Sequence, residues 1–300
     1  MSTAPLIAGI DLGGTKIEAR VFDGALNEVG RQRIATPKGS YADLLAALGT
    51  LGHWINVHEG VGSVGVGTPG LINPETGIML TANLSATGQP FAADLNRTLG
   101  GKIALIKDSR AFTLSEALQG AATGARNVVG LIMGTGVSCG QVIDGALIPD
   151  LNGQAGEFGH TPLPADWVAE YGLSLLPCGC GLSGCFETYL SGPGLATLAL
   201  HMTGKTLTAP DVLATEPRVK AAWLGLAARM VALIARSNDP DVIVLGGGLG
   251  MTAGLPAQIS AILAPLLLKD TKAPRLVQAR HGDASGALGA ALYAQSRGVS

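Results

Sequence analysis

Three cysteines lie close together in the second half of the sequence, where Cys178, Cys180 and Cys185 form the pattern Cys-x-Cys-x4-Cys. In an intracellular protein such a cluster favours a metal over disulfide bonds. A closed tetrahedral Zn²⁺ site needs a fourth ligand, and His160 is the nearest histidine in sequence. The pattern therefore predicts a structural Zn²⁺ held by three cysteines and His160, with three unliganded thiols as the alternative. Cys139 stands apart and is expected to be a small buried residue.

Several carboxylates occupy positions where they could act on a substrate. Asp108 follows a predicted strand and precedes a predicted helix, and ligands of open α/β sheets lie at the carboxyl ends of strands. A carboxylate there can accept a proton from a substrate hydroxyl, although a helix N-cap would also explain it. Glu157, His160 and Glu187 lie in or near glycine-rich stretches and suit a polyhydroxyl ligand. The alternative for these groups is a set of solvated loop charges.

Three glycine-rich turns follow predicted strands. They are Gly13-Gly14-Thr15-Lys16, Gly134-Thr135-Gly136 and Gly246-Gly247-Gly248. Glycine lets a ligand approach the backbone N–H groups closely, and Asp11, just before the first turn, can hold a hydrated Mg²⁺. Together the turns indicate a nucleotide, with Lys16 as a possible phosphate contact. Taken alone, the first turn also fits a plain hairpin with an exposed Asp and Lys.

Strands alternate with helices along the chain, which predicts the α/β class. The predicted strands include 61–66, 102–106, 128–133, 137–143, 241–245 and 275–278. The predicted helices include 41–58, 109–122, 218–237, 254–269 and 285–297. A strand, a glycine-threonine turn and a second strand occur around Gly13 and again around Gly134. This repeat suggests two similar domains.

Two common nucleotide-binding motifs do not fit the sequence. The Walker A pattern fails because Ala199 stands where a glycine must precede Gly204-Lys205-Thr206. The glycines at 65, 67 and 70 have dinucleotide-fingerprint spacing, but the residues after them predict a loop instead of the helix that would bind the pyrophosphate.

The composition narrows the functional class. The chain has 300 residues, 44 of them Gly, and only 14% are charged. Its net charge of −2 predicts no basic surface for nucleic acid. The longest uncharged stretch, 242–268, is interrupted by glycine and proline, and the N-terminus has no signal-peptide pattern. We therefore expect a cytoplasmic protein with neither membrane nor nucleic-acid partners.

These motifs together resemble the ROK family (repressor, open reading frame, kinase) of bacterial sugar kinases. The matching segments, in family order along nearly the whole chain, are 11–16, 67–70, 114–117, 134–136, 156–160, the cysteine cluster running into Glu187, 245–248 and 281–283. Repressor members carry an additional N-terminal helix-turn-helix, for which the residues before Asp11 leave no room. A transcription factor is therefore not expected.

The resemblance implies an actin-like ATPase fold of the hexokinase type, with two α/β domains and a cleft between them. The expected domains are residues 1–107 with 285–300, and residues 108–284, the second carrying the zinc loop. The resemblance also implies ATP with Mg²⁺ as phosphoryl donor, a small-molecule sugar as acceptor and a homodimer.

By the family pattern, Asp108 is similar to the base that deprotonates the attacking sugar hydroxyl. The residues that resemble sugar ligands are Asn83, Lys107, Glu157, His160 and Glu187. The residues that resemble the nucleotide site are Asp11, Gly13, Gly14, Thr15, Lys16, Gly134, Thr135, Gly136, Gly247 and Gly248. In the family, the histidine at position 160 uses one ring nitrogen for the metal and the other for the sugar.

Two departures from the family pattern bear on activity. Lys107 stands where the family has a sugar-binding Asn before the base, and a neighbouring ammonium favours the carboxylate form of Asp108. Ser138 stands where a Gly is usual. The segment 156–163 is similar to N-acetylglucosamine kinases, whereas 120–124 and 238–248 are similar to fructokinases. The expected activity is phosphorylation of N-acetylglucosamine to its 6-phosphate. The alternatives are a fructokinase or glucokinase, or a catalytically weak sugar-binding sensor.

Overall fold

The computed structural model describes residues 5–101 and 103–298. The chain divides into two compact units. Unit 1 comprises residues 1–118, 146–155 and 283–300, and unit 2 comprises residues 119–145 and 156–282. The domain boundaries expected above differ from this division in three segments, since residues 108–118, 146–155 and 283–284 belong to unit 1. The helix over 108–118 packs against the C-terminal helix and the short strand at Ala146–Leu147.

The described residues mix strands and helices along the chain, which agrees with the α/β class that the sequence predicts. The strands are β1 (Leu6–Leu12), β2 (Lys16–Phe22), β3 (Glu28–Ala35), β4 (Val61–Thr68), β5 (Leu71–Ile72), β6 (Met79–Leu80), β7 (Ile103–Lys107), β8 (Asn127–Met133), β9 (Val137–Ile143), β10 (Ala146–Leu147), β11 (Val242–Gly246) and β12 (Arg275–Gln278). The α-helices are α1 (Tyr41–Asn56), α2 (Phe91–Thr98), α3 (Asp108–Leu118), α4 (Ala165–Tyr171), α5 (Glu187–Leu190), α6 (Gly192–Thr203), α7 (Ala209–Thr215), α8 (Pro217–Asn238), α9 (Gly247–Gly250), α10 (Leu255–Leu263) and α11 (Ser285–Ser296). Short 3₁₀ turns cover Phe158–His160, Ala264–Leu266 and Gly282–Ala284.

Unit 1 is built on a sheet with strand order β3-β2-β1-β4-β7. The first glycine turn joins β1 and β2 as an antiparallel hairpin, while β1, β4 and β7 run parallel. Helix α11 lies directly on β1 and β4. A Cβ added to Gly9 or to Gly65 would come within 1.8 Å of a backbone oxygen of α11. The backbones can approach this closely only because both positions are glycine, which explains part of the unusual composition.

Unit 2 repeats the same strand pattern. Its sheet contains the order β9-β8-β11-β12, in which β8 and β9 form an antiparallel hairpin and β8, β11 and β12 run parallel. The four strands β2-β1-β4-β7 of unit 1 have the same directions in the same order. The duplication suggested by the two glycine-threonine turns is therefore present in the topology.

The core of unit 2 is anchored by two fully buried tryptophans. The indole N–H of Trp167 donates to the carbonyl of Ala222 at 3.2 Å, and that of Trp223 donates to the carbonyl of Leu190 at 2.9 Å. Both large rings are buried with their polar atoms satisfied, and they fix α4 and α5 against α8. The start of α5, which carries Glu187, is positioned by this packing.

None of the helices in the described residues is long and apolar enough to cross a membrane.

Candidate functional site

The structure gathers the four predicted metal ligands into one cluster in unit 2. The ligand atoms of His160, Cys178, Cys180 and Cys185 all lie within 4.8 Å of one another. The Sγ atoms of Cys180 and Cys185 are 3.7 Å apart, and Cys178 Sγ lies 3.5 Å from His160 Nδ1. A tetrahedral Zn²⁺ with bonds of about 2.3 Å to sulfur and about 2.0 Å to nitrogen requires edges of roughly 3.8 and 3.5 Å. The donor set and its spacing therefore fit a zinc ion.

Local backbone geometry brings the cysteines together. The turn from Cys178 closes through its N–H, which donates to the carbonyl of Leu182 at 2.8 Å. Within this turn Gly181 has φ +91°, and Gly184 has φ +72° just before Cys185. Both values lie in the left-handed region that favours glycine. The glycines between the cysteines therefore let the loop fold back so that three thiols face one point.

Burial opposes ionisation of the cysteine thiols. Burial and hydrogen bonding to Cys180 and Cys178 raise the pKa of Cys185 to about 12. Burial is also the main cause of the raised pKa of Cys178. Thiols in this state are protonated near neutral pH, so binding a metal would release protons from the cluster.

His160 presents its two ring nitrogens to different groups. Its Nδ1 faces Cys178, whereas its Nε2 lies 3.8 Å from Oε2 of Glu157. The short 3₁₀ turn that carries His160 lies tightly on β9, because a Cβ on Gly159 would come within 2.0 Å of the Val137 carbonyl oxygen. The two ring nitrogens thus face the cysteines and Glu157 respectively, and the double role implied for the histidine stays a prediction.

Glu187 connects the cysteine cluster to the second glycine turn. Its Oε2 accepts a hydrogen bond from the N–H of Val137 at 2.8 Å, and its Oε1 lies 3.9 Å from Cys178 Sγ. Unit 2 thus brings Glu157, His160 and Glu187 around the cluster. The sequence predicted these groups as one set, and their roles toward a sugar stay predictions.

The predicted nucleotide residues of unit 2 also meet. In the second turn the N–H of Gly134 donates to the carbonyl of Gly136 at 2.9 Å, and Thr135 between them is exposed. A Cβ on Gly134 would lie 3.8 Å from the N atom of Gly248. Gly247 has φ +76°, and a Cβ there would come within 2.5 Å of the Met133 carbonyl oxygen. The second and third turns therefore lie next to each other.

In unit 1 the first glycine turn lies beside Asn83. The N–H of Gly13 donates to the carbonyl of Lys16 at 2.9 Å, which closes the turn between β1 and β2. A Cβ on Gly14 would lie 2.9 Å from the Cβ of Asn83. The structure therefore brings Asn83 against the turn that also contains Thr15.

Asp11 lies near the end of β1, against the first turn of α11. A Cβ on Gly286 would come within 2.6–2.7 Å of the carboxylate atoms of Asp11. The start of α11 is held by the fully buried Glu116, which accepts a hydrogen bond from Ser285 Oγ at 2.8 Å. Sequence reasoning did not assign roles to Glu116, Ser285 or Gly286. Glu116 falls in the matched segment 114–117, but its partner is 169 residues away, and no local pattern predicts that contact.

Asp108 is the first residue of α3, directly after β7. Its Oδ1 accepts a hydrogen bond from the N–H of Ser109 at 2.6 Å, which fixes the orientation of the half-buried carboxylate. Lys107 lies at the end of β7 and lines a cavity that also contains Arg110 and Asp150. The predicted site residues are thus distributed over both units. Unit 1 carries Asp108 and its neighbours, and unit 2 carries the cluster of His160 and the three cysteines.

Comparisons with known proteins agree with this architecture. The ROK family model matches residues 7–297. An N-acetyl-D-glucosamine kinase of Pectobacterium atrosepticum is 41% identical over 295 residues, covering 95% of this chain and 97% of the relative. A protein of the same description from Vibrio cholerae is 38% identical, with 95% and 98% covered. Among solved structures, a ROK hexokinase from Thermus thermophilus has a TM-score of 0.81 at 30% identity, covering 97% of this chain and 99% of that one. The expected sugar-kinase α/β fold is confirmed, and the chain belongs to the ROK family.

Proposed function

We propose that this protein is an ATP-dependent N-acetylglucosamine kinase that forms the 6-phosphate. The observation that carries the proposal is the full-length similarity to N-acetyl-D-glucosamine kinases at 38–41% identity. Family membership makes the chain an ATP:sugar phosphotransferase. The proposal adds the identity of the sugar.

In the proposed reaction, Asp108 accepts the proton of the sugar 6-hydroxyl as that oxygen attacks the γ-phosphorus of ATP. The new O–P bond forms while the bond between the γ-phosphorus and the bridging oxygen breaks, and ADP leaves. ATP supplies the phosphoryl group, and the Mg²⁺ bound with it would neutralise the developing charge. Asp11, the first turn with Lys16, and the second and third turns are proposed to bind the nucleotide phosphates and their metal.

The proposed sugar ligands are Asn83, Lys107, Glu157, His160 and Glu187. The two glutamates accept hydrogen bonds from sugar hydroxyls, and Nε2 of His160 is the ring nitrogen directed away from the cysteines. His160, Cys178, Cys180 and Cys185 would hold a structural Zn²⁺, which would fix the segments that carry Glu157, His160 and Glu187 without taking part in bond making. On the resemblance alone we also propose a homodimer.

Lys107 supports a second candidate function. A sugar-binding protein with weak or no turnover would retain the fold and the cysteine cluster, and a cation in place of the usual Asn beside the base is the feature that favours it. Fructokinase and glucokinase activities are the nearest alternatives within the family.

A sugar panel tests the proposed function. With saturating Mg²⁺-ATP, kcat/KM for N-acetylglucosamine should exceed that for glucose, mannose and fructose by about 10²-fold, since buried polar groups reject a substrate that leaves them unpaired. ADP release measures turnover, and NMR of the product identifies the phosphorylated oxygen. Equal turnover of fructose would favour the fructokinase alternative, and binding of sugar without any turnover would favour the sensor.

Substituting Gly286 by Ala should reduce activity without unfolding the protein. The added Cβ would lie 2.6–2.7 Å from the Asp11 carboxylate, which is the mobile end of a side chain and can move aside at small cost in stability. A displaced Asp11 should lower kcat by about 10²-fold, because small misplacements of reacting groups have effects of that order.

The matched control is Gly225→Ala, which changes another helical glycine. Its added Cβ would lie 3.5 Å from Arg229 Nη1, an ordinary contact. This variant should keep wild-type kcat and gain slightly in Tm. Unchanged kcat in Gly286→Ala would show that Asp11 does not need its present position.

A further inference from the structure

A buried carboxylate of β2 lies directly across the first hairpin from Asp11. Asp11 of β1 and Glu18 of β2 are register partners in this antiparallel pair. Such partners point to the same face of a sheet, with their Cβ atoms about 5 Å apart. Asp11 faces α11, because a Cβ on Gly286 would meet its carboxylate. Glu18 therefore lies on the α11 face too, whereas its neighbour Ile17 belongs to the core on the opposite face.

The charge of Glu18 is buried and compensated by two cations. Its side chain is only 2% exposed, and a like-charged pair directly across two strands is unfavourable without compensation. Arg20, two residues further along β2, donates from Nε to Oε1 of Glu18 at 2.6 Å, and Arg33 of β3 pairs with Oε2. Because guanidinium groups engage both of its oxygens, Glu18 is not placed to be a metal ligand itself.

The position of Arg20 makes its pairing important for Asp11. Arg20 is opposite Gly9, which places it diagonally across the hairpin from Asp11, within reach of a long side chain. Its side chain is 9% exposed, and within the described residues its ion pairs are with Glu18 and with Glu28 of β3. Strand β3 flanks β2 on the side away from Asp11. The two glutamates therefore keep the guanidinium on the β3 side of the hairpin.

Loss of the Glu18 charge would release this restraint. A buried guanidinium that loses a charged partner is costly and favours pairing with another acceptor. The carboxylate of Asp11 lies on the same face within its reach. An ion pair between Arg20 and Asp11 would reorient that carboxylate and bring a positive charge toward the Mg²⁺ that the proposed function assigns to Asp11.

We propose that Glu18 is a positioning residue for the metal of the nucleotide. It holds Arg20 on the β3 side of the hairpin and thereby keeps the Asp11 carboxylate in the orientation that serves Mg²⁺. Glu18 touches neither the metal nor the substrate in this arrangement, and its effect passes through Arg20 and Asp11. The inference rests on the proposed function in one respect, namely that Asp11 serves the nucleotide metal.

Calorimetry of ADP binding to the full chain tests this inference without turnover. The measured quantity is the Mg²⁺ enhancement, defined as the ratio of the ADP dissociation constants without and with Mg²⁺ at constant ionic strength. Glu18→Gln should lower the enhancement about tenfold and leave metal-free ADP binding unchanged, since groups that orient metal ligands have effects of that size on metal affinity. A purely structural role would lower Tm without changing this ratio, and that result would overturn the inference.

The matched control is Glu28→Gln. It makes the same carboxylate-to-amide change next to the same guanidinium, on a side chain that is 36% exposed, and it leaves Glu18 in place. Its Mg²⁺ enhancement should stay close to that of wild type. An equal loss in both variants would overturn the inference, because the summed charge around Arg20 would then set the metal affinity.

Two double variants identify the residues through which Glu18 acts. Glu18→Gln should cause no further loss of enhancement in an Asp11→Asn background, whereas an additive loss would show that Asp11 is not its target. Glu18→Gln combined with Arg20→Gln should recover the enhancement, because the guanidinium that would capture Asp11 is gone. Persistent loss in that double variant would overturn the role of Arg20.

The second double variant also keeps the inference testable if Glu18→Gln alone fails to fold, which circular dichroism detects. It removes the buried cation together with the buried anion, so no buried guanidinium is left to be satisfied.

Failure of the inference and failure of the proposed function give different results. A wild-type protein that binds ADP with a Mg²⁺ enhancement but phosphorylates no sugar contradicts the kinase, while the Glu18 variants still decide the inference. Sugar phosphorylation with an unchanged enhancement in Glu18→Gln overturns the inference and leaves the kinase intact. Full enhancement in Asp11→Asn would also overturn the inference, because Asp11 would then not serve the metal.

Discussion

Substitution of Asp108 by Asn is expected to lower kcat by about 10²- to 10⁴-fold, the range in which general-base catalysis contributes. The amide has nearly the size of the carboxylate, and its oxygen can still accept the hydrogen bond from the Ser109 N–H. The variant therefore keeps the contact with Ser109 and loses the carboxylate charge together with its ability to take up a proton. Steady-state ADP release with N-acetylglucosamine and Mg²⁺-ATP gives kcat and the KM values.

The sugar affinity separates a catalytic effect from a structural one. If Asp108 acts as the base, the sugar dissociation constant measured by calorimetry should change little, because the loss lies in the transition state. Glu75→Gln is a matched control, since it makes the same carboxylate-to-amide change on an exposed loop of unit 1. A kcat within a few-fold of wild type in Asp108→Asn would remove Asp108 from the catalytic role.

The turns that carry the site could be predicted because their signals are local. A glycine-threonine turn between two apolar runs predicts a hairpin, and β9 and β12 have the bounds that the pattern indicated. The boundary between β7 and α3 was likewise predicted to within one residue. The spacing of the three cysteines also predicted that their thiols lie close together, because few residues separate them, and the structure brings them together with His160.

Strand β3 was not predicted, because its sequence lacks the apolar pattern of a core strand. Its residues alternate between exposed and half-buried, and it pairs with β2 through charged side chains. The buried Glu18 of β2 accepts a hydrogen bond from Arg20 Nε at 2.6 Å and also pairs with Arg33 of β3. A segment with so many charged side chains is predicted to be a solvated loop unless its partner strand is known.

Contacts between segments that are far apart in the chain also could not be predicted from the sequence. The bond from Ser285 to Glu116 and the close approach of Gly286 to Asp11 both depend on where α11 packs. Helix α1 ends at Asn56, so His58, predicted within it, lies beyond its end with its ring against Trp54. Packing partners decide these positions, and a single sequence does not reveal them.

Removal of a cysteine ligand should have the largest effect on stability. The purified protein is expected to contain about one zinc ion per chain, and Cys180→Ser should lose it. Because structural zinc contributes directly to folding, Tm should fall by on the order of 5–10 °C. Elemental analysis and thermal unfolding measure the two effects on the same sample.

The loss of zinc should also weaken sugar binding, although the metal does no chemistry in the proposal. His160 Nδ1 lies 3.5 Å from Cys178 Sγ, and Glu187 contacts the same thiol at 3.9 Å. Without the ion His160 and Cys178 lose a shared ligand, and the segment against which Glu187 packs is less firmly held. The sugar KM should therefore rise about 10- to 100-fold, the usual range for groups that support a metal site.

Cys139→Ala provides the matched control, because Cys139 is a buried thiol of β9 outside the cluster. It should keep its zinc and its sugar KM, with only the modest loss of Tm that a smaller core side chain causes. Wild-type protein without zinc, or Cys180→Ser with full zinc content, would contradict the four-ligand site. Loss of zinc with an unchanged sugar KM would support the metal site. It would also show that the proposed sugar ligands of unit 2 keep their positions without the ion.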